Sequence, residues 1–391
     1  MVKPFQFARL PLIYFGSGKA VELPGLVERY GTSVLLLTGK SSFMSTIQGE
    51  KLLDVLKKKG IRYYHIIIPG EPSPEIIDKI TVSYYNSEIN VLLAIGGGSV
   101  IDAGKAVSAM MHRTEPVVEF LEGVGNSREH PGTRIPFIAV PTTSGTGSEV
   151  TKNAVISRVG KDGFKRSLRH DNFVPDIAVV DPELTIPCPQ HVTAPSGMDC
   201  FTQLAEAYLS DKSDEYTDAL SIEGLKQIKS SLVNSYNDGD NIEARTGMSF
   251  AALTSGICLA NAGLGVVHGF ASSIGGMYNI PHGLVCGTLM AISNEINVRE
   301  LRRSKSNPAA LKKYAILGEL FLGTKNKSGN YYIDGFINYL HRLTDDLHLS
   351  VLSSYGVEEK DVELICKKTE IKNNPVKLAV EDLAEIVLKR L

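Results

Sequence analysis

Cysteine is sparse and unpaired in this chain: five residues in 391, an odd number with no close spacing. A disulfide framework is thereby excluded, and Cys188, Cys200, Cys258, Cys286 and Cys366 read as buried thiols of a reducing, cytoplasmic compartment. A surplus of charge is equally lacking. The 41 basic and 43 acidic residues are interspersed and leave a formal charge of −2, so no field exists to gather nucleic acid or an anionic membrane. Basic runs such as Lys57 to Lys59 and Arg299 to Lys305 fall in helical patterns, as solvated helix faces do. Long hydrophobic runs are missing: VLLLT from Val34, HIIIP from His65 and VLLAIGGG from Val91 are strand-length, against the roughly 20 apolar residues of a membrane span. The N-terminal MVKPFQFARLPLIYFGSGKA has scattered charge and no apolar core, which argues against a signal peptide. No internal repeat is visible.

What is present fits a soluble α/β enzyme. Apolar residues make up 43% and glycines number 36, and the length suits two or three domains. Residues 1–185 alternate β-rich runs with amphipathic stretches, as a parallel sheet with crossover helices requires. The expected strands are Ser33 to Thr38, Tyr63 to Ile68, Val91 to Ile95, Phe137 to Val140 and Ile177 to Val180. Helices are expected between them at Gly49 to Lys59, Ile76 to Ser87 and Ser99 to Met111. From about Cys188 the pattern becomes helical, near 199–210, 214–234, 241–262, 284–298, 308–321, 332–347, 358–367 and 379–390. VVDPELTIPCPQ, with three prolines, reads as the linker into this second, all-helical domain of residues 186–391. A ligand pocket is expected in the cleft between the halves.

The first half carries three nucleotide-type turns. VLLAIGGGSVIDAGKAVSAMM is a strand, three glycines and a helix, which brings backbone N–H groups and a helix N-terminus to a pyrophosphate, with Ser99 as the expected N-cap. It lacks GxGxxG spacing, and turns of this composition also serve tight packing. VPTTSGTGSEVT from Val140 packs hydroxyls and glycines after a buried strand, either as a second nucleotide wall or as a polar turn leading into a capped helix. In LLLTGKSSF no acidic residue follows the strand. Gly39 leaves room, and Lys40, Ser41 and Ser42 can donate to a 2′-phosphate, so NADP is favoured over NAD unless the string is a plain polar turn.

The second half carries a metal-type constellation. Asp199 and Gln203 are spaced i, i+4, so a helix over DCFTQLAEAYL aims both at one point, and His268 and His282 lie in HGFASSIGGMYNIPHG. Carboxylate and imidazole suit a divalent ion, whereas the neutral amide of Gln203 is a weaker donor. Taken singly, each histidine also reads as a core residue and the aspartate as a helix cap.

GGGSVID, PTTSGTGSEVT, VDPELT, SGMD and PHG, in this order and at these separations, resemble the iron-containing (group III) alcohol dehydrogenases over nearly the whole chain. The resemblance implies a dehydroquinate-synthase-like fold and a cytoplasmic homodimer, in which Phe5 to Phe15 pairs across the dimer edge. It puts Gly97, Gly98, Ser99 and Asp102 at the pyrophosphate and nicotinamide ribose, Thr142, Thr143 and Thr146 on the neighbouring wall, and Lys165 at the cofactor ribose. The family ligand set, one aspartate and three histidines, falls on Asp199, Gln203, His268 and His282, for Fe2+ or Zn2+. A further family histidine beside the substrate falls on Ser272, which with water could relay a proton. A family asparagine is replaced in GEPSPE by Pro72 and Ser73.

The expected activity is interconversion of a small aldehyde and its primary alcohol with NADP(H). A metal-independent reductase resembling the maleylacetate reductases is the alternative. A dehydroquinate-synthase-like lyase ranks lower, since the motif segments hold only Lys105, Lys152, Lys165 and Arg169 for an acidic substrate. A catalytically silent binding protein is the remaining class.

Overall fold

Strands that are covered on both faces read as unbroken apolar runs, and β2 (Ser33–Thr38) and β4 (Val91–Gly96) are of this kind, buried at every position. Side-chain alternation splits each between two cores. Leu35, Leu37, Leu92 and Ala94 pack on one face with α3 (Pro74–Tyr84) and α4 (Gly98–Met110). Val34, Leu36, Leu93 and Ile95 pack on the other with α1 (Leu23–Glu28) and α2 (Ile47–Lys58). The computed structural model describes residue 2 and residues 4–40 and 43–391. Ser41 and Ser42 lie outside the described residues.

With β1 (Leu12–Phe15), β3 (Arg62–Ile67), β5 (Phe137–Pro141) and β8 (Ile177–Val180), these strands form one parallel sheet in the order β1-β8-β5-β4-β2-β3. The order reverses between β2 and β4, and the turns after both strands open at the carboxyl edge there, where doubly wound sheets bind nucleotides. Two features were not expected. Residues 153–169 fold into an antiparallel hairpin of β6 (Asn153–Arg158) and β7 (Phe164–Arg169), and Leu12–Phe15 pairs within its own chain with Ile177–Val180. The stretch before β1 runs along the helical half: Ala8 N–H donates to Asn261 Oδ1 at 2.7 Å and Phe5 stacks on Tyr216 at 5.7 Å.

The helical half comprises α5 (Gln190–Leu209), α6 (Glu215–Asn237), α7 (Ile242–Ala262), α8 (Val266–Met277), α9 (His282–Ser304), α10 (Pro308–Leu322), α11 (Gly329–Asp346), α12 (Val362–Lys368) and α13 (Val380–Leu388). The expected boundary between residues 185 and 186 falls between the end of β8 and the start of α5. Helix α5 starts nine residues earlier than expected and contains Pro195. It is the central helix, buried from Gly197 to Leu209 and packed on α6, α7 and α9. Helix α8 was not expected at all. Among the described residues no single helix is long and apolar enough to cross a membrane.

Candidate active site

Backbone crowding dictates the nucleotide side. β4 and β5 end in register, Gly96 beside Pro141, and Thr142 N–H donates to Gly96 C=O at 3.0 Å, so the two following turns lie against each other. A Cβ on Gly98 would stand 2.7 Å from Thr146 Oγ1, and one on Gly97 would stand 3.3 Å from Thr143 Oγ1. Only glycine lets the turns close up here while leaving the N-terminus of α4 bare. Ser99 does not cap that helix. The N-cap is Gly97, with no side-chain hydrogen bond, because α4 starts one residue earlier than expected.

Asp102 is tied to the protein through both oxygens. Oδ1 accepts from the Ser148 hydroxyl and Oδ2 from Val155 N–H at 3.1 Å, joining α4 to β6. Lys105, one turn on, is buried with its ammonium donating to Ser148, Thr151 and Asn153. Lys165 projects from β7 and pairs with Glu71 at 2.5 Å, and its charge is felt at both Asp102 and His282. It therefore stands within electrostatic reach of both Asp102 on α4 and His282 on α9. Glu71 belongs to the GEPSPE turn, in which Ser73 caps α3 and the Pro72 carbonyl accepts from Ser157 N–H at 2.9 Å. At the end of β2, Gly39 follows Thr38, whose hydroxyl meets His65 Nε2 at 2.8 Å across to β3.

The candidate metal site is assembled by three helices. Asp199 and Gln203 project from α5, His268 from the first turn of α8 and His282 from the first residue of α9. The close approach of α9 to α5 needs Gly283, where a Cβ would stand 2.3 Å from the Pro195 carbonyl oxygen. His268 Nε2 is 3.2 Å from Asp199 Oδ1, and His282 Nε2 is 3.8 Å from the same oxygen. Cys286, one turn into α9, brings Sγ to 3.7 Å from His268 Nε2 and 3.8 Å from His282 Nε2. The ligand atoms of Asp199, His268, His282 and Cys286 all lie within 4.8 Å of one another. This donor set of carboxylate, two imidazoles and a thiol fits a divalent metal, and His282 Nδ1, buried with no partner among the described residues, leaves Nε2 turned to the cluster.

Gln203 lies beside the set with its amide nitrogen toward Asp199 Oδ1 at 3.5 Å and its oxygen accepting from the Ser255 hydroxyl at 3.2 Å. Ser272 donates its hydroxyl to the His268 carbonyl at 2.9 Å, a bond within its own helix, and Lys372 Nζ donates to the same carbonyl at 3.1 Å. Two participants escaped the sequence reading. Glu206 accepts from His268 Nδ1–H at 2.6 Å, and Cys286 completes the cluster. Their signal was positional: Glu206 follows Asp199 by two turns of α5, and Cys286 follows His282 by one turn of α9, so each shares a helix face with a recognised residue.

Burial dominates the electrostatics. It pushes the Cys286 thiol up to about 11 and the His282 imidazole down to about 4, so both are neutral near pH 7. Burial opposes charge on His268 as well, but the Cys286 sulfur as a hydrogen-bond partner and the Glu206 and Asp199 carboxylates outweigh it and carry its pKa well above the ordinary histidine range. Asp199 is held below the ordinary carboxylate range against its own burial by His282 and His268, and of these His268 is the cation that stands at neutral pH.

Two family models match end to end. Residues 11–182 match the iron-containing alcohol dehydrogenase model and residues 193–391 the C-terminal model of the Fe-containing alcohol dehydrogenase family. The chain belongs to the iron-containing alcohol dehydrogenases. It is similar to an NADPH-dependent butanol dehydrogenase of Clostridium saccharobutylicum, 30% identical over 91% of this chain and 89% of that one. It is also similar to an NAD-dependent methanol dehydrogenase of Bacillus methanolicus, 29% identical over 97% and 98%. An archaeal halo-thermophilic alcohol dehydrogenase from a Red Sea brine pool has the same fold, with a TM-score of 0.89 and 25% identity over 100% and 99% of the two chains. The fold is thus dehydroquinate-synthase-like, and the protein is an oxidoreductase acting on alcohols and aldehydes.

Proposed function

We propose that this iron-type alcohol dehydrogenase is an NADP(H)-dependent reductase of small aldehydes, equivalently a dehydrogenase of their primary alcohols, with a divalent metal at the substrate oxygen. The observation that carries the reading is the convergence of Asp199, His268 and His282 on one point, with the Lys165 charge felt at both His282 and Asp102. A metal held there supplies Lewis-acid polarisation of a carbonyl. The chain's own residues do the rest. Glu206 fixes the ring of His268, the N-terminus of α4 beyond Gly97 and Gly98 takes the pyrophosphate, and Thr142, Thr143 and Thr146 form the facing wall. Asp102 braces that wall through Ser148. Lys165 is the residue available to the cofactor ribose, and Ser272 with a water is the route for a proton to the alkoxide.

The choice of NADP rests on Gly39 and Lys40, which offer a 2′-phosphate space and a cation where an acidic residue would repel it. Relatives of both preferences exist, one named NADPH-dependent and one NAD-dependent. A cytoplasmic location is part of the same reading, on the free thiols of all five cysteines, and the homodimer is carried over from the family resemblance of the Phe5 to Phe15 stretch.

A metal-independent reductase is the second reading, favoured by one observation, the amide nitrogen that Gln203 turns toward Asp199. Initial rates with NADPH and NADH on an aldehyde panel, for protein stripped of metal and for protein reloaded with iron(II) or zinc, decide between them. Full activity of the stripped protein overturns the metal-dependent reading.

A further inference from the structure

We propose that Cys286 is the fourth protein donor of the metal centre, bound as a thiolate in the role that Gln203 fills poorly, and that the centre therefore prefers zinc to ferrous iron. The inference rests on the metal-dependent reading above and adds a ligand to it.

The distances carry the assignment. With metal–nitrogen and metal–oxygen bonds of about 2.0–2.1 Å and a metal–sulfur bond of about 2.3 Å, a tetrahedral ion holds neighbouring N and O donors roughly 3.3 Å apart and S and N donors roughly 3.6 Å apart. Cys286 Sγ stands 3.7 Å and 3.8 Å from the two imidazole Nε2 atoms, and Asp199 Oδ1 stands 3.2 Å and 3.8 Å from the same two atoms. All four donors lie within 4.8 Å of one another, so one ion reaches them once the side chains draw in by up to about an ångström from that spread to the tetrahedral spacing. Both rings are set for it: Glu206 occupies Nδ1 of His268, while Nδ1 of His282 has no partner among the described residues.

Gln203 is set differently. Its nitrogen, which has no lone pair to give, faces Asp199, and its oxygen is engaged by Ser255. Ligation through that oxygen requires the amide to turn over and release Ser255. The sulfur needs no such rearrangement. His282 and Cys286, spaced i, i+4 in α9, present their donors from one helix face, as Asp199 and Gln203 would on α5.

The chemistry balances without a redox step. The metal ion takes the sulfur lone pair as the S–H bond breaks, and the proton leaves to solvent. Asp199 and the thiolate then offset the two positive charges of the ion, whereas an aspartate with neutral donors leaves one. A thiolate is the softest donor in the set, and zinc lies above iron(II) in the affinity order of first-row ions, so both effects favour zinc.

Cobalt(II) substitution reads the sulfur directly. Metal-stripped protein reloaded with cobalt(II) is expected to show an intense near-ultraviolet sulfur-to-cobalt charge-transfer band together with visible tetrahedral bands. Cys286→Ser should lose the near-ultraviolet band and bind zinc at least about tenfold more weakly in chelator competition. Cys200→Ser, altering another buried thiol beside Asp199, should keep the band. The spectrum of the unaltered protein decides the matter even where the variant folds poorly. Visible cobalt bands with no charge-transfer band overturn the role of Cys286 while leaving the metal centre standing. Absence of any cobalt or zinc binding overturns both. Anaerobic competition that loads iron(II) ahead of zinc overturns the zinc preference.

Discussion

Glu206 Oε2 lies 2.6 Å from His268 Nδ1, and the other carboxylate oxygen of Glu206 accepts from Val267 N–H at 2.7 Å. The carboxylate thereby pins the first turn of α8 to α5 and directs Nε2 of His268 at Asp199. Partners of this kind are worth roughly 10–100-fold in metal affinity. Glu206→Gln, which keeps the shape and removes the charge, should weaken zinc or iron(II) binding by about that factor with NADPH affinity unchanged. Metal content after dialysis against a graded chelator, beside fluorescence titration of NADPH, measures the two quantities. Equal metal retention in both proteins contradicts the orienting role.

Gly98 and Thr146 make a second test, on the opposite wall. The Cβ of Gly98→Ala would press on Thr146 from 2.7 Å, and overpacking of this kind costs about 1–3 kcal/mol. Thr146 must then move away from the N-terminus of α4, where the pyrophosphate is proposed to sit. We expect KM for NADPH to rise about tenfold or more, corresponding to about 1.4 kcal/mol or more of lost binding, with the metal content untouched. An unchanged KM removes the glycine turn from the cofactor site.

The sequence conveyed the sheet and the candidate metal cluster unequally, for physical reasons. β2, β4, β5 and β8 are covered on both sides and so announce themselves as apolar runs, and their boundaries agree with expectation to within a residue. β6 and β7 form a separate two-stranded hairpin whose burial is mixed, and without a clean alternation residues 153–169 carried no strand signal beyond their β-branched content. Helix α8 holds three glycines and two serines in twelve residues, HGFASSIGG among them, so propensity spoke against it. Burial of Val266, Val267, Phe270 and Ile274 in the helical core overrides that preference. Asp199, His268 and His282 were legible because imidazole and carboxylate stand out by type. Cys286 and Glu206 were not, since a thiol in an apolar helix reads as core and a glutamate as surface until the fold brings them to the histidines.

Cofactor choice is tested at Gly39, the first residue after β2. A carboxylate there repels a 2′-phosphate and accepts hydrogen bonds from a 2′-hydroxyl. Gly39→Asp should lower the ratio of kcat/KM for NADPH over NADH by about tenfold or more, chiefly through KM. Steady-state kinetics with one aldehyde and both cofactors gives the ratio. If it stays constant, the TGKSS turn does not meet the 2′ position.

Glu149 supplies the pH dependence. It belongs to the Val140 to Thr151 segment with its side chain buried, and burial raises its carboxyl from 4.5 to about 7, with Lys105 opposing the shift. A raised carboxyl is protonated in the fold and ionised in the unfolded chain between those two values, so the folded state binds the extra proton. Its stabilising contribution is therefore complete below about pH 4.5 and is lost as pH rises through about 7. The amount is on the order of 3 kcal/mol. Lys105, depressed by burial to about 8, stays mainly protonated over this window and adds little slope. Urea unfolding at pH 5 and pH 7.5 should show the native protein losing stability relative to Glu149→Gln, whose amide does not titrate, by about 2–3 kcal/mol. Parallel pH profiles for the two proteins would mean that Glu149 is ionised in the fold already at pH 5, and that the Lys105 ammonium compensates its burial.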